Sequence, residues 1–277
     1  MRIDAHQHFW IYDPVRDGWI DDSMAAIRRD FLPADLKPIL DKHHIDGCVV
    51  VQADQSAAET SFLLKLAEEN DFIKAVVGWV DLRAQNIEEQ LADYHSFAKL
   101  KGFRHVLQGE PDRALMLKPR FVHGIKELER YNFTYDILIF PDQLVYAEEL
   151  VRAFPYQKFV IDHIAKPFIK KQEIEAWEKD IRAIAQHENV WCKVSGMVTE
   201  ADWQNWQESD LTPYLDVVFE AFGTKRLMFG SDWPVCNVAG RYDRMISMVE
   251  NYTSRLSANE QADFWGNNAI EFYNIRS

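Results

Sequence analysis

Three cysteines in 277 residues, Cys48, Cys192 and Cys236, are too few and too widely spaced to frame a disulfide scaffold or a cysteine-based zinc site. They indicate a reducing compartment, with Cys48 and Cys192 read as small core hydrophobes inside strands. Positive charge is also scarce. Against 44 Asp and Glu there are 31 Lys and Arg, which leaves −13 at pH 7. Such a charge repels phosphate backbones and anionic headgroups, so neither nucleic acid nor a membrane is an expected partner. No apolar run is long enough to span a bilayer, and none near the start has signal-peptide length. The opening Met1-Arg2-Ile3-Asp4-Ala5-His6 goes straight into strand-like and polar residues, and a full-length cytoplasmic chain is expected. The ten prolines are scattered singly, and no repeat or low-complexity tract marks a boundary, which favours one domain over residues 1–277. No Gly-x-Gly-x-x-Gly follows the first apolar run, so a dinucleotide-binding open sheet is disfavoured and no organic cofactor is expected.

What the chain does have is apolar residues, 47% hydrophobic and 13% aromatic, enough for a large core. Short β-branched or aromatic runs recur at Arg2–Ala5, Gly47–Gln52, Lys74–Val80, Gly102–Leu107, Phe133–Phe140, Lys158–Asp162, Val190–Val194 and Arg226–Phe229. Most are continuous rather than alternating, as in Cys48-Val49-Val50-Val51, which suits parallel strands covered on both faces. Helix-period segments separate them. Ser56-Ala57-Ala58-Glu59 and Ser257-Ala258-Asn259-Glu260 read as capping boxes, and Pro141 suits a first helical position. Eight βα units in a chain of this length predict an α/β fold of the distorted (β/α)8 TIM-barrel class. The long stretch from Trp10 to Asp30 is expected to be an elaborated loop over the top of that barrel.

Barrel active sites lie at the C-terminal strand ends. The ionisable residues there are His6 and His8 after the first run, Arg104-His105 near the fourth, Asp162-His163 at the sixth, Lys193 in the seventh and Asp232 after the eighth. His6 and His8, two apart on an extended segment, point the same way and suit one metal or one substrate group, although a lone His-x-His is a weak signal. Asp232 fits a metal ligand, a general base for water, or merely a helix cap. His163 reads equally well as a buried, satisfied histidine. Arg104 and His105 face opposite ways on a strand, so at most one enters the barrel. Trp10, Trp79 and Trp233 offer an aromatic wall for a sugar-sized ligand or plain core packing, and Lys193 a substrate contact or a snorkelling side chain. The remaining histidines sit in helical segments and read as surface residues.

The set Ile3-Asp4-Ala5-His6-Gln7-His8-Phe9-Trp10, Lys101-Gly102-Phe103-Arg104-His105, Val160-Ile161-Asp162-His163-Ile164-Ala165-Lys166-Pro167, Val194-Ser195-Gly196 and Phe229-Gly230-Ser231-Asp232-Trp233-Pro234 resembles the amidohydrolase superfamily. The similarity is to its TIM-barrel branch that includes the sugar lactonases, and it spans nearly the whole chain. It implies hydrolysis of a small molecule, with Asp232 activating water and His163 and Arg104 or His105 polarising a carbonyl. The substrate it implies is an aldonolactone such as L-fuconolactone or L-rhamnonolactone. The fifth run, Phe133 to Phe140, lacks the histidine that holds a second metal in the wider superfamily, and Lys101 lies at the wrong end of the fourth. One divalent ion, zinc before others, held by His6, His8, His163 and Asp232 is what the resemblance allows, and metal-free action is also known in this branch. Carboxylated lactones of the pyrone or muconolactone kind, and metal-dependent decarboxylation, are the rival chemistries. Arg83, Arg113, Arg241 and Arg244 are the cations that acidic substrates of that kind would require.

Overall fold

Eight short parallel strands lie in sequence order in the computed structural model, which describes residues 1–276: β1 Ile3–Gln7, β2 Gly47–Val51, β3 Ile73–Gly78, β4 Leu100–His105, β5 Thr134–Ile137, β6 Phe159–Ile161, β7 Val190–Val194 and β8 Leu227–Phe229. The ladder does not close through β8 itself. The segment after it does the joining, with His8 N–H donating to Trp233 O at 2.7 Å and Asp232 N–H to His6 O at 2.8 Å. The result is a single α/β domain, a nearly closed TIM-type barrel.

A helix follows each strand and packs outside. The principal ones are Pro33–Lys42, Ala57–Glu69, Ile87–Tyr94, Pro119–Arg130, Leu144–Ala153, Glu175–Ile184, Glu208–Phe222 and Arg241–Thr253. Between barrel and helices lies the larger core, where Val50, Phe103, Tyr135, Phe159, Cys192 and Phe229 from the outer strand faces meet the helices. The strand faces that point inward form a second, smaller cluster at the lower end. Ile3, Ala5, Val49, Val51, Ala75, Val77, Val160 and Met228 are closed off from below by Phe272 and Tyr273 of the C-terminal helix. Polar side chains occupy the interior above that plug.

Local signals are read out with some differences. Ser56 accepts from Glu59 N–H at 3.2 Å as an N-cap, but the Glu59 carboxylate turns back to Ala53 N–H at 2.9 Å rather than completing the box. The Ser257–Glu260 box is complete, and Pro141 opens a 3-10 turn before Leu144–Ala153. In the β1–β2 connection, Trp10 and Phe31 pair through two 2.9 Å backbone bonds and enclose a 3-10 helix at Asp22–Ile27. This pairing packs Phe31 edge-on against Trp233, with ring centroids 5.2 Å apart. No described helix is long and apolar enough to cross a membrane, and all three cysteines are buried and unpaired.

Candidate active site

A slip in the β1–β2 pairing between Asp4 and Gln7 decides where the first histidines point. Strict alternation would put Ala5 inside and His6 outside. Ala5 does join the inner apolar cluster, yet His6 also turns inward, which a bulge permits. Asp4 stays outside the barrel wall, its Oδ1 accepting from Ser231 N–H at 2.8 Å and from His6 N–H at 3.2 Å, its Oδ2 from the Tyr242 hydroxyl at 3.2 Å. Burial pushes its carboxyl up to about 6, against the pull of those donors. Asp4 therefore ties β1 to the loop that carries Asp232.

Asp232 stands in a left-handed conformation, φ 56°, with its side chain over the barrel axis rather than on the next helix. Its Oδ1 lies 3.3 Å from His8 Nε2 and 3.9 Å from both His6 Nε2 and His163 Nε2. His163 arrives on an unusual support: His163, Ile164, Ala165 and Lys166 are consecutively left-handed, φ 49–59°. Such residues, Ile above all, resist this conformation, so the turn is held from outside. Trp177 Nε1–H donates to Ile164 O at 2.8 Å, Ser195 Oγ lies 2.9 Å from His163 Nδ1, and Gly196 leaves the room the imidazole needs.

Burial dominates the electrostatics. It lowers His163 to about 4 and His6 well below the usual histidine value, despite the carboxylates beside them. For Asp232 burial works the other way, but His163, the His8 hydrogen bond and His6 outweigh it and keep the carboxyl well below the usual range. At neutral pH the buried Asp232 carboxylate thus faces two imidazoles, His6 and His163, that burial keeps neutral. A cation fits that arrangement. His6 Nε2 and His8 Nε2 are 3.2 Å apart, and a tetrahedral ion with bonds of about 2.0–2.1 Å separates its ligands by about 3.3 Å. His8 Nδ1 donates to Val51 O at 2.7 Å, which leaves Nε2 bare for a ligand. Asp162 Oδ1, which also lies 3.0 Å from Lys193 Nζ, is 3.2 Å from His6 Nδ1, where it can accept the proton that a ligating His6 carries on that nitrogen.

Beneath this centre lies a second polar layer. Lys193 Nζ reaches Asp136 Oδ2 at 2.5 Å, Asp162 Oδ1 at 3.0 Å and His6 Nδ1 at 3.1 Å. Arg104 donates to Asp162 Oδ2 at 3.0 Å and Gln52 Oε1 at 2.9 Å, with its Nη1 3.3 Å from His6 Nε2. The Tyr273 hydroxyl closes the bottom on Asp136 Oδ2 at 2.8 Å. Burial raises Asp136 to about 6, with Lys193 limiting the rise. Asp162 is held well below the carboxylate range, because Lys193, His6 and Arg104 overcome its burial.

A family model described as amidohydrolase matches residues 3–275. This chain belongs to the amidohydrolase family. It is 40% identical to the L-fucono-1,5-lactonase of Burkholderia multivorans, over 99% of this chain and 96% of that one. It also superposes on the crystal structure of a Burkholderia multivorans amidohydrolase with bound zinc, with a TM-score of 0.96, 40% identity and full coverage of both chains. A dihydroxybenzoic acid decarboxylase of Polaromonas sp. JS666 shares the fold alone, with 11% identity, TM-score 0.67 and coverage of 99% and 96%.

In this amidohydrolase, His6, His8, His163, Asp232 and Arg104 converge as a set, but other expected site residues do not join them. His105 faces out of the barrel, its ring edge on Phe121 and its Nε2 2.6 Å from Glu110, because Arg104 takes the inward phase of β4. Trp10 and Trp233 are core rather than wall. Trp10 packs on Phe31 and Trp19 with its indole N–H on Arg29 O, and Trp233 packs between Phe9 and Phe31. Lys193, at 0% exposure, is sealed by its ion pairs and cannot reach a substrate. Trp79 is half-buried beside the end of β3, with its backbone N–H and C=O both on Thr60 Oγ1. Asp4, Gln52, Asp136, Ser195 and Tyr273 were given no role from sequence. A charged residue in the middle of an apolar strand, as in Tyr135-Asp136-Ile137, was the available signal for one of them.

Proposed function

We propose that this amidohydrolase is a lactonase that opens a small sugar lactone, an aldonolactone such as L-fuconolactone or L-rhamnonolactone, to the sugar acid. The observation that carries the reading is the ionised Asp232 at the C-terminal mouth of the barrel, within 3.3–3.9 Å of three imidazoles, two of which, His6 and His163, burial keeps neutral. Lactone hydrolysis needs a base for the attacking water and positive charge or donors where the carbonyl oxygen becomes anionic. Asp232 takes a proton from water as its oxygen bonds the carbonyl carbon. The ring C–O bond then breaks, Asp232 returns the proton to the departing alkoxide, and the acid ionises in solution. His6, His8, His163 and Asp232 would hold a single divalent ion, zinc first. The chemistry such an ion supplies is Lewis-acid stabilisation of charge on the carbonyl oxygen. Arg104 fixes Asp162 and faces His6 from below, which keeps that imidazole aimed at the centre.

The arginines argue for a neutral substrate. Arg113 is paired with Asp142 at 2.7 and 2.8 Å, Arg83 with Asp81 at 3.1 Å, and Arg244 lies over Trp206 and donates to its carbonyl. Three of the four cations that an acidic substrate would want are already engaged. The name of the Burkholderia relative makes L-fucono-1,5-lactone the first compound to try. The test is proton release over a panel of aldonolactones, with the spontaneous opening rate subtracted, before and after dialysis against a chelator. Stereoselective hydrolysis that falls with the chelator and returns with zinc is the expected result. Silence toward every aldonolactone, with turnover of a pyrone dicarboxylate or a hydroxybenzoate instead, would replace this reading.

A further inference from the structure

Trp79 is the first residue past β3, and its neighbours fix its direction. Ala75 and Val77 belong to the inner apolar cluster and Val76 and Val80 to the outer one, while a Cβ on Gly78 would meet Thr60 Cγ2 of the helix outside at 2.7 Å. Alternation therefore turns Trp79 inward. Register agrees. Gly78 lies opposite Phe103 of β4, so Trp79 comes level with Arg104, the inward residue whose Nη1 reaches to 3.3 Å from His6 Nε2. Thr60 Oγ1 anchors the position by accepting from Trp79 N–H and donating to Trp79 O, both at 2.8 Å. The indole so placed is not used for packing: it joins neither apolar cluster, and its buried Nε1–H meets no acceptor among the described residues. We infer that Trp79 reads the substrate's hydroxyl groups: its indole N–H donates to a ring hydroxyl oxygen of the lactone, and its face covers the C–H side of the sugar ring.

The chemistry of the side chain sets the class of ligand. An indole N–H is a donor only and carries no charge, so it matches a neutral oxygen acceptor and offers nothing special to a carboxylate. A buried indole usually finds a partner for that hydrogen, and a site in which the partner belongs to the substrate rejects an analogue without it, because the donor is then left unpaired. Arg104, at the same level, does not compete for this role, since it is bonded to Gln52 and Asp162. The inference rests on the lactonase reading and adds the side chain by which that site tells a hydroxylated lactone from a bare one.

Trp79→Phe keeps an aromatic face and removes the N–H. It is expected to lower kcat/KM for L-fucono-1,5-lactone by about 10–100-fold while leaving that for δ-valerolactone, which has no hydroxyl, nearly unchanged. Equal losses on both lactones, or no loss on either, overturn the proposal. Where δ-valerolactone turns over too slowly to compare, the indole N–H signals of the ¹⁵N-labelled parent decide. Of the nine tryptophans, Trp79 is the one whose signal disappears in Trp79→Phe, or in Trp79→Tyr if the first variant folds poorly. The sugar-acid product, added at a concentration that inhibits turnover, should shift that signal more than the other eight, and a Trp79 signal that stays in place overturns the contact. A parent that hydrolyses no aldonolactone removes the lactonase reading and this contact together. An active parent matched by Trp79→Phe on the sugar lactone removes the contact alone.

Discussion

The two polar layers inside the barrel differ in how they treat buried charge. At the level of Asp136 and Asp162, two carboxylates meet two cations at 2.5–3.0 Å, and the Tyr273 hydroxyl and the Gln52 amide oxygen take up donors and acceptors left over. A few ångströms above, Asp232 has only imidazoles around it, and burial keeps two of them, His6 and His163, neutral. Burying charge is costly unless it is paired and hydrogen-bonded. The lower layer meets that condition and reads as structure. The upper one does not meet it, and what it lacks is what a polarising cation and a reacting water would provide. The position of chemistry is marked by incomplete compensation rather than by the number of ionisable groups.

Three substitutions can break or sharpen this contrast. The largest effect is expected at the mouth: Asp232→Asn should lower kcat/KM for lactone opening by about 10²–10⁴-fold, the range of general acid–base catalysis. Its melting temperature should match the parent's or exceed it, since an uncompensated charge has been removed. A loss of stability comparable to the loss of rate would erase the distinction between the layers. Next comes the floor. Lys193→Met in metal-free buffer leaves a carboxylate excess and should cost about 3–5 kcal/mol in denaturant unfolding, with the Asp136→Asn, Lys193→Met pair recovering most of it. Equal stability of the single and double variants would mean that the floor is not held by charge balance. The smallest effect is expected between the layers. Gly196 has φ +59°, and an added Cβ would sit 2.4 Å from His163 Nδ1, so Gly196→Ala should cost about 1–3 kcal/mol and lower kcat more than it raises KM. Unchanged kcat would show that His163 tolerates displacement.

The sequence-level reading reaches the fold because parallel strands buried on both faces leave continuous apolar runs, and all eight appear where expected. Their ends are less legible. Leu138-Ile139-Phe140 continues the apolar run of β5, but the paired strand stops at Ile137 as the chain leaves the ladder for Pro141. Asp162 reads as the end of a strand and instead opens the left-handed turn that carries His163. In the site, the residues that converge were readable from their places at strand tips. Those that do not converge were misjudged because position along a strand says nothing of its phase. His105 differs from Arg104 by one residue and ends on the other side of the wall. Asp136 and Lys193 were hidden for a related reason: their meaning lies in each other, 57 positions apart in the chain and 2.5 Å apart in space.

The slip in β1 has a consequence for anyone who would move this chemistry. A strand is a device of parity, and every side chain on it belongs to the odd or the even set. Between Asp4 and Gln7 the parity changes, so that Ile3 and Ala5 serve the apolar plug while His6 and His8 serve the mouth. Grafted onto a regular strand without that change, the same six residues would send both imidazoles among the outer helices, on the side of Asp4, and turn Gln7 into the barrel. The transferable unit is therefore not His-x-His but the irregularity that precedes it, and a designer who straightened the strand would obtain a better-paired sheet and an inert protein.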